Sequence, residues 1–173
     1  MQKEPNILTL YTAEQIQTAV QHVAAKIEDF YGPNEPVLAL CLLNGAIWFT
    51  ADLLRCLPAN FELQTIRISS YEGTNSSGEL KWHNALPKCK GKRVLVIDDV
   101  LDTGLTMKSV CEKLLADGAT KVASVVAVNK VGRRNVAYEA DFAALQCDDL
   151  FLVGYGLDFN GKYRNLPYIG YIK

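Results

Sequence analysis

The sequence has no long apolar run. The longest, Val37 to Leu43, is seven residues, against the roughly 20 that a membrane-spanning helix needs. No apolar core follows the polar start Met1-Gln2-Lys3-Glu4-Pro5, so a secretory leader is not expected there. Neither sign of charge is in excess: 18 Lys and Arg stand against 19 Asp and Glu, a net charge of −1. Dedicated nucleic-acid binders carry a strong basic surplus, so neither nucleic acid nor a membrane is expected as a partner. Cysteines are few and scattered: Cys41, Cys56, Cys89, Cys111 and Cys147 lie fifteen or more positions apart. That spacing fits neither a disulfide framework nor a C-x-x-C metal or redox pair, and reduced thiols in a cytoplasmic protein are expected. A Gly-Lys-Ser/Thr phosphate loop and a G-x-G-x-x-G dinucleotide fingerprint are both missing.

What remains is an ordinary globule. Hydrophobic residues make up 49% of 173 and charged residues 21%, enough apolar material for a core and too little charge for disorder. No internal repeat or long linker breaks the chain, and a single domain over residues 1–173 is expected.

Thr12 and Gln15 form a capping-box pattern, after which Ile16, Val20, Val23, Ile27 and Phe30 recur at helical spacing up to Gly32-Pro33. Val37–Leu43 reads as a buried strand, 46–56 as a helix and 61–69 as a second strand. Residues 70–83 are small, polar and turn-prone, a length typical of binding loops and lids. A strand over 93–97, a helix ending at Asp117-Gly118, and strands over 121–128 and 150–154 follow. The tail from Tyr155 reads as irregular. All-apolar strands alternating with helices predict an α/β fold with a mainly parallel central sheet flanked by helices.

The chemistry concentrates in Val94-Leu95-Val96-Ile97-Asp98-Asp99-Val100-Leu101-Asp102-Thr103-Gly104-Leu105-Thr106. A buried strand delivers two carboxylates to its C-terminal end, the edge at which open α/β sheets bind ligands. A turn with a glycine and two threonines then opens a helix, whose free N–H groups and positive dipole end suit a phosphate. Adjacent carboxylates would repel a phosphate unless they serve another group, such as a sugar diol or a divalent cation. The segment therefore reads as a ribose 5-phosphate site. Asp102 read alone could equally be a helix cap.

This segment resembles the phosphoribosyl-pyrophosphate motif of the type I phosphoribosyltransferases: apolar residues, two acids, three further residues, then Thr-Gly-x-Thr. Leu42-Leu43-Asn44-Gly45-Ala46, Ile68-Ser69-Ser70-Tyr71-Glu72-Gly73-Thr74, Phe151 through Phe159, and Arg164-Asn165-Leu166-Pro167-Tyr168-Ile169-Gly170 narrow the resemblance to the hypoxanthine-guanine phosphoribosyltransferases. It runs from about residue 37 to the C-terminus. The resemblance implies a type I fold with a mobile lid loop and a C-terminal purine-binding hood. It also implies transfer of a phosphoribosyl group to N9 of a 6-oxopurine, with Mg2+, in a homodimer or homotetramer.

Residue by residue, the resemblance makes Asp102 the catalytic acid near purine N7. It gives the ribose hydroxyls and water-bridged metal contacts to Asp98 and Asp99, and the 5-phosphate to Thr103, Gly104, Leu105 and Thr106. Lys130 would donate to the 6-oxo group, Phe151 would stack on the purine, and Leu152 would offer backbone groups to its far edge. Asp158 would bind the metal, and Arg164 the pyrophosphate. Asn44-Gly45 would bind pyrophosphate through a backbone that relatives strain, sometimes to cis. Ser70 and Tyr71 would belong to the lid. Two departures stand out. Position 98 is Asp where many relatives carry Glu, and Asn44 and Leu105 stand where some place a basic residue. A nucleotide-sensing regulator on the same fold would share the phosphate motif but not the purine and lid residues. A two-component receiver would place its acid pair near the chain start.

Overall fold

The computed structural model describes residues 5–70, Ser70 by its backbone, and 80–173. The elements are β1 (Ile7–Tyr11), α1 (Ala13–Tyr31), β2 (Val37–Leu43), α2 (Ile47–Arg55), β3 (Phe61–Ser70) and β4 (Leu80–Trp82). They continue with β5 (Arg93–Leu101), α3 (Leu105–Ala116), β6 (Lys121–Lys130), β7 (Phe142–Cys147), β8 (Leu152–Val153) and β9 (Ile169–Ile172).

The main sheet has six strands in the order β4-β3-β2-β5-β6-β7. All neighbours are parallel except β4, which runs antiparallel to β3. From β2 the chain steps outward to β3, then returns across β2 to begin β5. The strand order therefore reverses between β2 and β5, which leaves a crevice at their carboxyl ends.

The apolar alternation of the central strands feeds two cores. Val37, Ala39, Leu95, Ile97 and Val125 pack under Ile16, Val20, Ile27, Phe49 and Leu53 of α1 and α2. Leu38, Leu40, Val94, Val96 and Val126 face Met107, Val110 and Leu114 of α3. Strands covered on both faces need apolar residues at successive positions, and β2 has them throughout and β5 from Val94 to Ile97.

The capping box at the start of α1 is present, with Thr12 and Gln15 each accepting the other's backbone N–H. At its end the Gly32 N–H donates to Glu28 O. Phe30 is not core. It is 39% exposed, with the Lys121 ammonium 3.5 Å from its ring centroid, and the buried residue of that last turn is Tyr31. Tyr31 donates its hydroxyl to Val94 O at 2.6 Å, fixing the helix end to β5.

Several elements depart from the sequence reading. β5 continues past Ile97 to Leu101, and β6 past Val128 to Lys130, because each pairs with the other out to Leu101–Asn129. β1, β4, β7 and β9 were not visible as strands: each is a short or edge strand with a broken apolar pattern, and pairing rather than periodicity defines it. The tail from Tyr155 is accordingly not wholly irregular. β9 sits between β1 and β8 in a second, antiparallel sheet of order β1-β9-β8. Close approach there needs Gly170, where a Cβ would lie 2.9 Å from Leu8 O. Leu152, Tyr155, Leu157 and Ile169 join the α1/α2 core, which ties this sheet to the main one above the carboxyl ends of the strands.

Candidate active site

The crevice between β2 and β5 opens into a cleft of about 650 Å³, lined by Asn44, Gly45, Ser69, Asp98, Asp99, Asp158 and Arg164 among others. A smaller recess of about 80 Å³ adjoins it, formed by Asp98, Asp102, Thr103, Gly104 and Thr106 among others. Asp98 and Thr106 line both, so the carboxylate pair and the helix-opening turn serve one continuous site.

Asp98 and Asp99 lie within β5 rather than beyond it. Asp98 Oδ1 accepts the Asp99 N–H at 2.9 Å, and Asp99 Oδ1 accepts the Val100 N–H at 2.8 Å. Loss of water raises both carboxyls above the ordinary aspartate range; the charge on Asp99 lifts Asp98 further, while Arg164 pulls Asp99 back down. A pair in this state gains from a ligand that brings hydroxyl donors or a cation. The β2–α2 turn presses directly on it. A Cβ at Gly45 would lie 1.7 Å from Asp99 Oδ2, and one at Gly156 would lie 2.0 Å from Gly45 O. Gly156 is required by backbone contact, and Gly45 by the Asp99 carboxylate seated against it. The cis peptide of this turn joins Leu43 to Asn44, one bond earlier than the resemblance implied.

The turn after β5 is held by Gly104, the N-cap of α3, at φ +83°. The first helical bond runs from Lys108 N to Gly104 O at 3.0 Å. The N–H groups of Leu105, Thr106 and Met107 therefore stand outside the helical ladder. Of the three, only the Leu105 N–H finds an acceptor among the described residues, Thr103 Oγ1 at 3.4 Å. No acidic residue occupies the first turn of α3. Free donors and a positive dipole end, with no acid in the helix's own first turn, together suit a phosphate.

Asp102 is not a helix cap, since Gly104 takes that place without a side-chain bond. Its carboxylate instead faces two cations, Lys130 Nζ at 3.7 Å and Arg133 Nε at 3.1 Å. Lys130 is 8% exposed at the last position of β6. Phe151, within the strand expected over 150–154, is not a core residue. It is 54% exposed, its ring edge-on to Phe159 with centroids 5.7 Å apart. Leu152 is buried in β8 opposite Tyr171, while the Phe151 carbonyl accepts the Ile172 N–H.

Arg164 donates to Gly156 O at 2.6 Å and pairs with Asp158 Oδ1 at 2.7 Å, which holds its guanidinium at the cleft wall. Asp158 Oδ2 accepts the Gly161 N–H at 2.7 Å. No group of three or more metal-ligating side chains occurs among the described residues. Scattered carboxylates fit Mg2+, a hard cation that keeps waters and shares ligation between one or two carboxylates and substrate phosphates. Ser70 ends β3 beside the cleft by its backbone, and Tyr71 lies outside the described residues.

Arg133, Arg134 and Asp149 were missed by the sequence reading. Arg133 bridges Asp102 and Asp149; the only signal was an Arg-Arg pair after Gly132.

The model of the phosphoribosyl transferase domain family matches residues 7–160. The chain is 41% identical to a hypoxanthine-guanine phosphoribosyltransferase of Aquifex aeolicus, covering 91% of this chain and 90% of that one. It is 36% identical to a hypoxanthine-guanine-xanthine phosphoribosyltransferase of Tritrichomonas foetus, covering 95% and 90%. Among solved structures, a hypoxanthine phosphoribosyltransferase of Staphylococcus aureus superposes with a TM-score of 0.90 at 34% identity, covering 96% and 91%. A hypoxanthine phosphoribosyl transferase of Trypanosoma cruzi gives 0.90 at 29% identity, covering 100% and 94%. With a glycine-capped helix start beside a carboxylate pair at the switch point of its sheet, the chain belongs to the phosphoribosyltransferase family, in its hypoxanthine-guanine branch, and is an enzyme of phosphoribosyl transfer.

Proposed function

We propose that this enzyme transfers the 5-phosphoribosyl group of phosphoribosyl pyrophosphate to N9 of a 6-oxopurine, hypoxanthine and/or guanine, with release of pyrophosphate. The observation that carries the reading is the pairing of Asp102 with Lys130 across the ends of β5 and β6, beside the turn that opens α3.

Each group then has a task. The N–H groups opening α3, with Thr103, Gly104, Leu105 and Thr106, hold the 5-phosphate. Asp98 and Asp99 accept hydrogen bonds from the ribose hydroxyls, which stand in for the water whose loss raises their pKa values. Asn44 and Gly45 present backbone to the pyrophosphate, and Arg164 offers it a planar guanidinium. The purine stacks on Phe151, with Leu152 backbone groups along its far edge. Lys130 has three donors and no acceptor, so it favours a 6-oxo group over the 6-amino group of adenine. Asp102 takes or shares the N7 proton as N9 bonds to the ribose carbon. Mg2+ would be held by Asp158 and, through water, by Asp98 and Asp99; when bound it supplies positive charge to the leaving pyrophosphate.

Residues 1–173 act as one domain in this reading, as a cytoplasmic homodimer or homotetramer, with Ser70 and Tyr71 in a lid that excludes water. Among the described residues no helix is long and apolar enough to cross a membrane. The test is pyrophosphate release with Mg2+ and phosphoribosyl pyrophosphate, offering hypoxanthine, guanine, xanthine and adenine in parallel. Turnover with 6-oxopurines and not adenine is expected. No turnover with any base, despite nucleotide binding, would overturn the reading in favour of a nucleotide-sensing regulator.

A further inference from the structure

The connection from β6 to β7, residues 131–141, has no assigned task, yet it lies against the back of the site. The Asn135 N–H donates to Thr103 O at 3.0 Å. Gly104, in its left-handed conformation, has space for a Cβ only against Val136, Arg134 and Tyr138, at 3.3 to 3.5 Å. The connection is itself fastened from below. Tyr138 donates its hydroxyl to Ser124 Oγ at 2.8 Å, and Asp141 accepts both the Ser124 N–H and its hydroxyl. Ser124 is fully buried in β6, so this anchor is part of the sheet.

Arg134 is the centre of the arrangement, its side chain only 14% exposed. Its Nη1 faces Leu101 O at 3.0 Å, Asp102 O at 2.6 Å and Lys130 O at 3.0 Å. Its Nε donates to Tyr138 O at 3.1 Å, and its Nη2 to Asn129 Oδ1 and, at 3.1 Å, to Glu139. Leu101–Asn129 is the last register pair between β5 and β6. Beyond it the strand ends have no ladder between them. The guanidinium takes the ladder's place at the point where Asp102 leaves β5 and Lys130 ends β6.

We infer that Arg134 is a positioning residue that fixes the carboxylate of Asp102 and the ammonium of Lys130 relative to each other by gripping both of their backbones. This rests on the roles proposed above for those two residues. A guanidinium has five N–H donors spread over a rigid plane, and six acceptors on three segments surround this one, so one hydrogen is shared. A lysine ammonium presents its donors from a single atom and cannot span Tyr138 O and the three carbonyls on the opposite side. Charge alone therefore does not replace Arg134. Displacement of either partner by about 1 Å is enough to cost roughly 10²-fold in rate.

The experiment is a double-mutant cycle on kcat/KM for hypoxanthine, with Arg134→Gln and Lys130→Ala singly and together. Arg134→Gln is expected to lose about 10²-fold or more. Lys130→Ala is expected to lose roughly 10- to 10²-fold in the native background, but under about 5-fold when Arg134 is already gone, because a misplaced lysine has little left to lose. Arg134→Lys, which keeps the charge, is expected to fail as well, and it carries the cycle if Arg134→Gln does not fold. Methylguanidine added to Arg134→Ala should restore part of kcat. A merely structural residue would give losses that multiply and no response to the guanidinium. An equal Lys130→Ala loss in both backgrounds, or Arg134→Lys at native activity, overturns the inference. No loss from Lys130→Ala alone would instead overturn the role given to Lys130.

Discussion

Gly45→Ala tests the closest contact in the site. The added Cβ would stand 1.7 Å from Asp99 Oδ2 and 2.6 Å from its Cγ. Ordinary carbon–oxygen contacts lie near ~3.3 Å, so carboxylate and turn must separate by about 1.6 Å. The turn has little room to yield, because Gly45 O already lies where a side chain on Gly156 would stand, 2.0 Å from that absent Cβ. Asp99 is held in turn by the Val100 N–H at 2.8 Å. The strain falls on the carboxylate proposed to bind the ribose and on the backbone proposed to bind pyrophosphate.

A misplacement of about 1 Å in such groups costs roughly 10²-fold, or ~2.7 kcal/mol of transition-state binding. Overpacking a filled site costs a further ~1–3 kcal/mol of stability. The assay is steady-state pyrophosphate release with phosphoribosyl pyrophosphate varied, beside a thermal melt. The expected result is kcat/KM for phosphoribosyl pyrophosphate down about 10²-fold in a protein that still melts cooperatively. Gly91→Ala is the control. Its φ is +76° but no atom would lie within 4 Å of its Cβ, so it should cost about 1 kcal/mol of stability and no activity. Native kcat/KM in a folded Gly45→Ala enzyme would refute this account of the contact.

Asp102→Ala should lower kcat by about 10²- to 10⁴-fold while nucleotide binding persists and the melting midpoint moves by roughly 5 °C or less; undiminished turnover would remove Asp102 from the mechanism. Lys130→Gln should weaken use of hypoxanthine by about 10- to 10²-fold and raise the adenine-to-hypoxanthine ratio, because its amide can accept as well as donate; an unchanged ratio would exclude Lys130 from base choice. Alkylation followed by mass spectrometry should modify Cys56 first, the one exposed thiol. Cys111 should react slowly, as burial pushes its pKa up to about 11, and comparable rates at the two would contradict the packing of α3.

The turn that opens α3 and the acid pair were legible because the role proposed for them constrains residue type over a contiguous stretch. A buried strand is apolar, a tight turn favours glycine, and the acid pair and the turn together span only nine residues, from Asp98 to Thr106. Edge strands were not legible. β7 and β9 each hide only part of their surface, so neither shows an alternation that separates it from a loop. Phe151 misled for a related reason: an aromatic before Leu152-Val153 has the pattern of a core strand, and only β9 pairing at Leu152 and Val153 shows the strand begins one residue later and leaves the ring outside.

Arg133 and Arg134 mark the deeper limit. Adjacent and chemically identical, they face opposite ways. Arg133 reaches the carboxylate of Asp102, a partner of a type that sequence reasoning can search for. Arg134 grips carbonyl oxygens of Leu101, Asp102, Lys130 and Tyr138. Every residue has such an oxygen, so the sequence bears no mark of which ones will lack a partner. They lack one here because two parallel strands end their pairing at Leu101–Asn129 while each still has a functional side chain to deliver. The need for a donor therefore arises from topology, and a five-donor plane on the very next connection meets it.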